Sequence, residues 1–138
     1  MTCVSRLVEV RTKGRGLYDV TEHVRQAAEF AAVRTGVVHV FVRHTSASLV
    51  IQENADPAVL RDLSHWLDGL APEEGKYEHE DEGKDDMPSH LRSAITRTTE
   101  TIPIGSGKLL LGTWQAVYLW EHRRAPHRRE LVLTVMGE

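Results

Sequence analysis

From Val4 to Thr12 apolar and polar residues alternate with the period of a half-buried strand, and Gly14-Arg15-Gly16 ends the run. The period then changes. Val20, Val24, Ala27, Ala28 and Ala31 recur at three- and four-residue intervals, which predicts a helix capped by Asp19 or Thr21 and running to about Arg34, with Gly36 as its stop. Val37 to His44 is rich in β-branched residues and reads as a strand; a second short strand follows over Ala47 to Glu53. Asp56-Pro57 has the form of a helix start, with proline at the first helical position. Val59, Leu60, Leu63, Trp66, Leu67 and Leu70 give this second helix an apolar face, and Gly69 and Pro72 end it. Glu73 to Asp86 is acidic and is predicted as a loop, after which Met87-Pro88 opens a third helix to about Thr98. Three strands close the chain: Glu100 to Ile104, a long ribbon from Leu109 to Arg123, and Glu130 to Met136. Gly105-Ser106-Gly107 and Ala125-Pro126 make the turns. Strands outnumber helices and do not alternate with them. The expected class is therefore α+β, one domain over residues 1–138, mostly antiparallel sheet or sandwich with about three helices.

Composition narrows the function classes. A chain of 138 residues is long enough for one real core. Its 41% apolar and 27% charged residues are those of an ordinary soluble domain. A net charge of -3 gives no reason to expect nucleic acid as a partner. No apolar run approaches the roughly 18 residues of a spanning helix, and the N-terminal stretch lacks a secretory apolar region, so no membrane partner is expected. The single cysteine, Cys3, excludes an internal disulfide and fits a reducing compartment, with the cytoplasm as the expectation.

Reactive side chains gather in three segments: His44 to Asp56, His79 to His90, and Gly112 to Arg123. His44 continues the face of Val38, Val40 and Val42, which places it at the inner rim of the core; a histidine bonded to a backbone group there competes evenly with a functional one. Thr45 and Ser46 begin a hydroxyl-rich turn of the kind that can offer N–H and O–H groups to a phosphate. Asn54 follows the second strand, and Asp56 reads first as a helix cap. Eight of the fourteen residues from Glu73 to Asp86 are acidic. Among them His79 should have its charged form favoured unless a metal takes its lone pair. Asp85 and Asp86 precede a helix, where one should act as cap; adjacent aspartates also suit magnesium. His90, in the first turn of that helix, can point back to the loop. On the long ribbon Trp114, Ala116, Tyr118, Trp120 and His122 share one face, and Thr113, Gln115, Val117, Leu119, Glu121 and Arg123 the other. Glu121-His122-Arg123 puts acid, imidazole and guanidinium at one strand end. Arg123 could hold a phosphate by bidentate contacts or pair with the acidic loop. There is no HExxH and no CxxC, so no local metal motif is present.

Three runs in order, HTSASLVIQENADP, DDMPSHL and PIGSGKLLLGTWQAVYLWEHR, together resemble the YjbQ (UPF0047) family over about three quarters of the chain, from His44 onward. The resemblance implies a small α+β protein forming a homotrimer. It also implies an activity like that of secondary thiamine-phosphate synthase, which joins hydroxymethylpyrimidine diphosphate to a thiazole phosphate and releases pyrophosphate. A divalent metal, zinc first and magnesium second, would sit on His79, His90 and His122, leaving an open position as in catalytic zinc sites. Thr45, Ser46, Asn54, Thr113, Gln115 and Arg123 would contact a phosphorylated metabolite, and His44, Glu121 and Asp86 are the catalytic candidates. Gln52 and Ala116 depart from the family pattern without removing a candidate ligand. Two other readings use the same residues: a non-enzymatic protein holding a metal or phosphometabolite, and a trimer whose charges only join subunits.

Overall fold

A computed structural model describes residues 1–138. Two antiparallel sheets carry the chain. The larger has the order β1 (Thr2–Thr12), β8 (His127–Gly137), β3 (Gly36–Val42), β5 (Thr99–Gly105), β6 (Lys108–Leu109); the smaller has β2 (Gly16–Asp19), β7 (Gln115–Glu121), β4 (Ala47–Glu53). Helix α1 (Thr21–Ala31) lies against the larger sheet, and α2 (Pro57–Leu70) and α3 (Asp86–Ile95) pack on the β4 side. The α+β class, the antiparallel pairing and the three helices are as the hydrophobic pattern predicts.

The core follows from period-two alternation. Val38, Val40 and Val42 of β3, Ile102 and Ile104 of β5, and Leu131, Leu133 and Val135 of β8 face Leu49 of β4 and Val117 and Leu119 of β7, with Val24, Ala27 and Ala28 of α1 closing the cluster. Truncating one of these leucines to alanine typically costs about 2–5 kcal/mol. The inward faces of β7 and β8 each end on a charge. Glu121 continues Val117 and Leu119, and Arg129 precedes Leu131 and Leu133, so the two charges meet inside.

Four elements differ from the sequence pattern. Strand β2, hidden behind the Gly14–Gly16 turn, pairs with the far end of β7. Helix α1 stops at Ala31, because Ala32 takes the left-handed conformation (φ 54°) and its N–H returns to the Glu29 carbonyl. Gly36 is therefore not a helix stop. It opens β3 where the backbone passes so close to β8 that a Cβ would stand 2.0 Å from the Met136 carbonyl oxygen. The ribbon expected over 109–123 is two strands separated by residues 110–114, and Trp114 is exposed. On α2 only Leu67 of the apolar stripe is buried; Trp66 and Leu70 are 58% and 53% exposed.

Candidate functional site

Helix α3 begins at Asp86, so Asp86 and His90 stand four residues apart, one turn of helix, and project from the same face. The acidic loop brings His79 over them. His79 Nε2 lies 2.6 Å and His90 Nε2 3.1 Å from the same oxygen, Oδ2 of Asp86, and the imidazole rings stand 5.4 Å apart. All three ligand atoms fall within 4.8 Å of one another. The Asp86 side chain is only 3% exposed. Burial by itself would raise its pKa, but the His79 hydrogen bond and the Arg123 charge outweigh this and hold it below the ordinary carboxylate value. The hydrogen bond to Asp86 chiefly raises the pKa of His79.

A second tier of bonds fixes this carboxylate. Arg123 Nη1 donates to Asp86 Oδ1 at 2.6 Å, while Arg123 Nε donates to Asp85 Oδ2 at 3.1 Å and Nη2 to the Glu82 carbonyl at 2.9 Å. Asp85 also accepts from the Arg124 backbone N–H. Neither aspartate caps α3 through its side chain; both are held by the strand end at Arg123.

His90 carries the most telling geometry. Its Nδ1 is 2.9 Å from the Thr45 carbonyl oxygen, which can only accept, so Nδ1 holds a proton. A neutral His90 then turns the lone pair of Nε2 toward Asp86 Oδ2, another acceptor. Only a proton on Nε2 or a cation beside both atoms makes that approach favourable. Two imidazole nitrogens and a carboxylate oxygen are the donor set of catalytic zinc sites that keep an open position, and the Thr45 contact is the type of outer bond that orients a ligating histidine. A cavity of about 520 Å³ adjoins His79, lined also by Glu73, Tyr77, Glu80, Gly83 and Lys84.

The other expected residues are distributed elsewhere. His122 does not join His79 and His90. It is 2% exposed beneath Trp120, with Nε2 2.8 Å from Ser48 Oγ and Nδ1 unpartnered, and burial, then the charge of Arg92, pushes its pKa down to about 3. His122 follows β7, both of whose faces are buried, and it is Asp86 that stands with His79 and His90. Glu121, a proton-transfer candidate, is a buried ion-pair partner. It receives bonds from Arg129 Nε at 2.7 Å and Thr12 Oγ1 at 2.6 Å. His44 accepts the Glu130 backbone N–H on Nε2 at 2.8 Å and its pKa is lowered, chiefly by burial, so it is the backbone-bonded rim histidine. Ser46 Oγ accepts from Arg129. Arg123 donates to Asp85, Asp86 and the Glu82 carbonyl. Thr45 reaches the cluster through its carbonyl. Asn54, Thr113 and Gln115 line a separate cavity of about 440 Å³ with Arg25 and Lys108, and Asn54 Nδ2 donates to the Thr113 carbonyl at 3.0 Å.

The description "UPF0047 protein YjbQ-like" matches residues 6–138. A UPF0047 protein of Synechocystis sp. is 52% identical over 133 residues, covering 96% of this chain and 90% of that protein. The UPF0047 protein YjbQ of Escherichia coli is 38% identical over 134 residues, covering 96% and 97%. Among solved structures, an uncharacterised YjbQ/UPF0047-family protein of Clostridium acetobutylicum superposes with a TM-score of 0.85 at 32% identity over 96% of this chain and 99% of that one. A YjbQ-like protein of unknown function from Sulfolobus solfataricus shares the fold at a TM-score of 0.88 and 22% identity, over 99% of both chains. With the family motifs placed on one fold and the match running nearly end to end, the chain belongs to the UPF0047 YjbQ-like family.

Proposed function

We propose that this chain is a divalent-metal-dependent enzyme acting on phosphorylated small molecules. The reaction resembles that of secondary thiamine-phosphate synthase, joining hydroxymethylpyrimidine diphosphate and a thiazole phosphate with release of pyrophosphate. The observation that carries the metal is His90, whose proton on Nδ1 leaves Nε2 facing the Asp86 oxygen that His79 also faces. In this reading His79, Asp86 and His90 hold zinc, or magnesium as second choice, and Arg123 keeps Asp86 ionised and aimed. Lys84, on the adjoining cavity, offers a positive charge to the substrate phosphate. The bound cation would neutralise charge on the departing pyrophosphate. The chain works as a homotrimer in this reading, with the exposed Trp66 and Leu70, one turn apart on α2, as the contact face.

Elemental mass spectrometry of untagged protein tests the metal. The wild type should carry near-stoichiometric zinc or magnesium, the His79→Ala/His90→Ala variant none, and His122→Gln the wild-type amount. Protein that stays metal-free after both ions are supplied rules the reading out. Metal-loaded protein should then release pyrophosphate from the diphosphate substrate.

A second reading is a non-enzymatic protein that holds a metal or phosphometabolite. It is favoured by Glu121, which is buried and ion-paired with Arg129, and by the bond that His44 Nε2 accepts from the Glu130 backbone N–H. Stoichiometric metal and ligand binding with no pyrophosphate released would select it.

A further inference from the structure

A third cavity, of about 350 Å³, opens between α2, the Arg92 position of α3 and the junction of β2 with β7, and nothing in the metal reading uses it. Its lining brings together Arg15, Arg92 and Arg124 with Ser64, His65 and Asp68. The counter-charges are three, because Glu121 also lines the cavity, held there by Arg129. Asp68 accepts from Arg15 and, at 3.0 Å, from Arg92. Glu73 accepts from Arg124 through two bonds of 2.7 Å and from Arg15 at 3.4 Å. With Arg129 counted beside Glu121, four guanidiniums against three carboxylates leave one positive charge over.

That excess sits where it costs most. Arg92 is only 4% exposed, its Nη2 serves Asp68 and the Ala71 carbonyl, and its Nε is buried with no partner. A buried donor left unmatched on a charged group is costly, and guanidinium forks match tetrahedral oxyanions. Burial and the neighbouring Arg15 charge both disfavour the cationic form of Arg92, as expected for a cation short of an anion. Asp68 is the weaker of Arg92's partners, half exposed on α2.

We infer that this cavity binds a small oxyanion, an inorganic phosphate or the phosphoryl end of a small molecule, held by Arg15, Arg92 and Arg124 and competing with Asp68 and Glu73 for them. The site is independent of the metal, so it is tested in chelator-treated protein, where failure of the metal reading has no bearing on the result. Isothermal titration with inorganic phosphate at constant ionic strength should give saturable one-to-one binding. Arg15→Gln and Arg124→Gln should each weaken it about tenfold, as loss of one charge-assisted contact does. Asp68→Asn should tighten it several-fold by removing the internal competitor. This gain is informative even if variants at Arg92 do not fold. Methyl phosphate run in parallel separates the sources: tighter binding than phosphate points to a phosphorylated metabolite, and equal binding to the free ion. Absence of saturable binding at millimolar phosphate, or binding that neither the arginine variants nor Asp68→Asn alters, overturns the inference.

Discussion

His122 stays neutral inside the fold down to about pH 3, whereas an unfolded histidine takes up its proton near 6.5. Below 6.5 the unfolded chain therefore binds a proton that the folded chain refuses. The stability contributed by keeping this ring neutral is complete above pH 6.5 and is lost as pH falls from there toward 3, at up to about 1.4 kcal/mol per pH unit. Urea unfolding at pH 7.5, 6 and 5 should show this decline, and His122→Gln should flatten it by about one proton's worth. His44, also lowered by burial, adds a decline of the same sign that the variant leaves in place. The alternation along Val38–His44 was enough to put His44 at the core rim. His122 was not legible in the same way: alternation sorted the ribbon into two faces, but the second face is buried as well, and Ser89 of α3, far away in sequence, bonds the His122 carbonyl. Asp86 and His90 at helical spacing were a usable signal; which histidine would join them depended on how the acidic loop folds back.

Helix ends show how local chemistry competes with pattern. Asp56 caps α2 as its identity suggests, with Oδ1 accepting the Ala58 N–H at 2.9 Å and Pro57 at the first helical position. At the other kind of end, α1 closes through Ala32 in a left-handed conformation that a Cβ disfavours by roughly 1–2 kcal/mol. Ala32→Gly should thus stabilise the protein by about 0.5–1 kcal/mol, since part of the gain is offset by greater freedom in the unfolded chain; the urea midpoint would rise with an unchanged slope. An unchanged or lower midpoint would show that the Ala32 methyl makes compensating contacts. The glycine that looked like the stop, Gly36, is required for another reason, the close pass of β3 by β8. A strand-to-strand approach of that kind leaves no trace in the local pattern.

For the molecule as a whole, the apolar stripe of α2 is the face on which the proposed trimer is tested. It follows helical spacing, yet within one chain it buries only Leu67. Light scattering across a hundredfold dilution should report a mass three times the 15.6 kDa chain, and Trp66→Glu with Leu70→Glu should shift it toward the monomer; a wild type that stays monomeric removes the trimer. No helix is long and apolar enough to cross a membrane. The hydrophobic periodicity alone determined the class, the three helices and most of the strands, because each depends on contacts within a few residues or on alternation along one strand. Sequence also marked the chemistry-bearing segments, since clustered histidines and carboxylates exceed what a small core consumes. Only the tertiary structure decided how those residues divide. Glu121 is neutralised by Arg129, a partner eight residues on but across the turn into β8. Arg123 is consumed by Asp85 and Asp86, and Asp86 takes the place expected for His122. Pairing between distant charges is settled by which strand ends and loops meet in space, and period-two or period-3.6 patterns carry no record of that meeting.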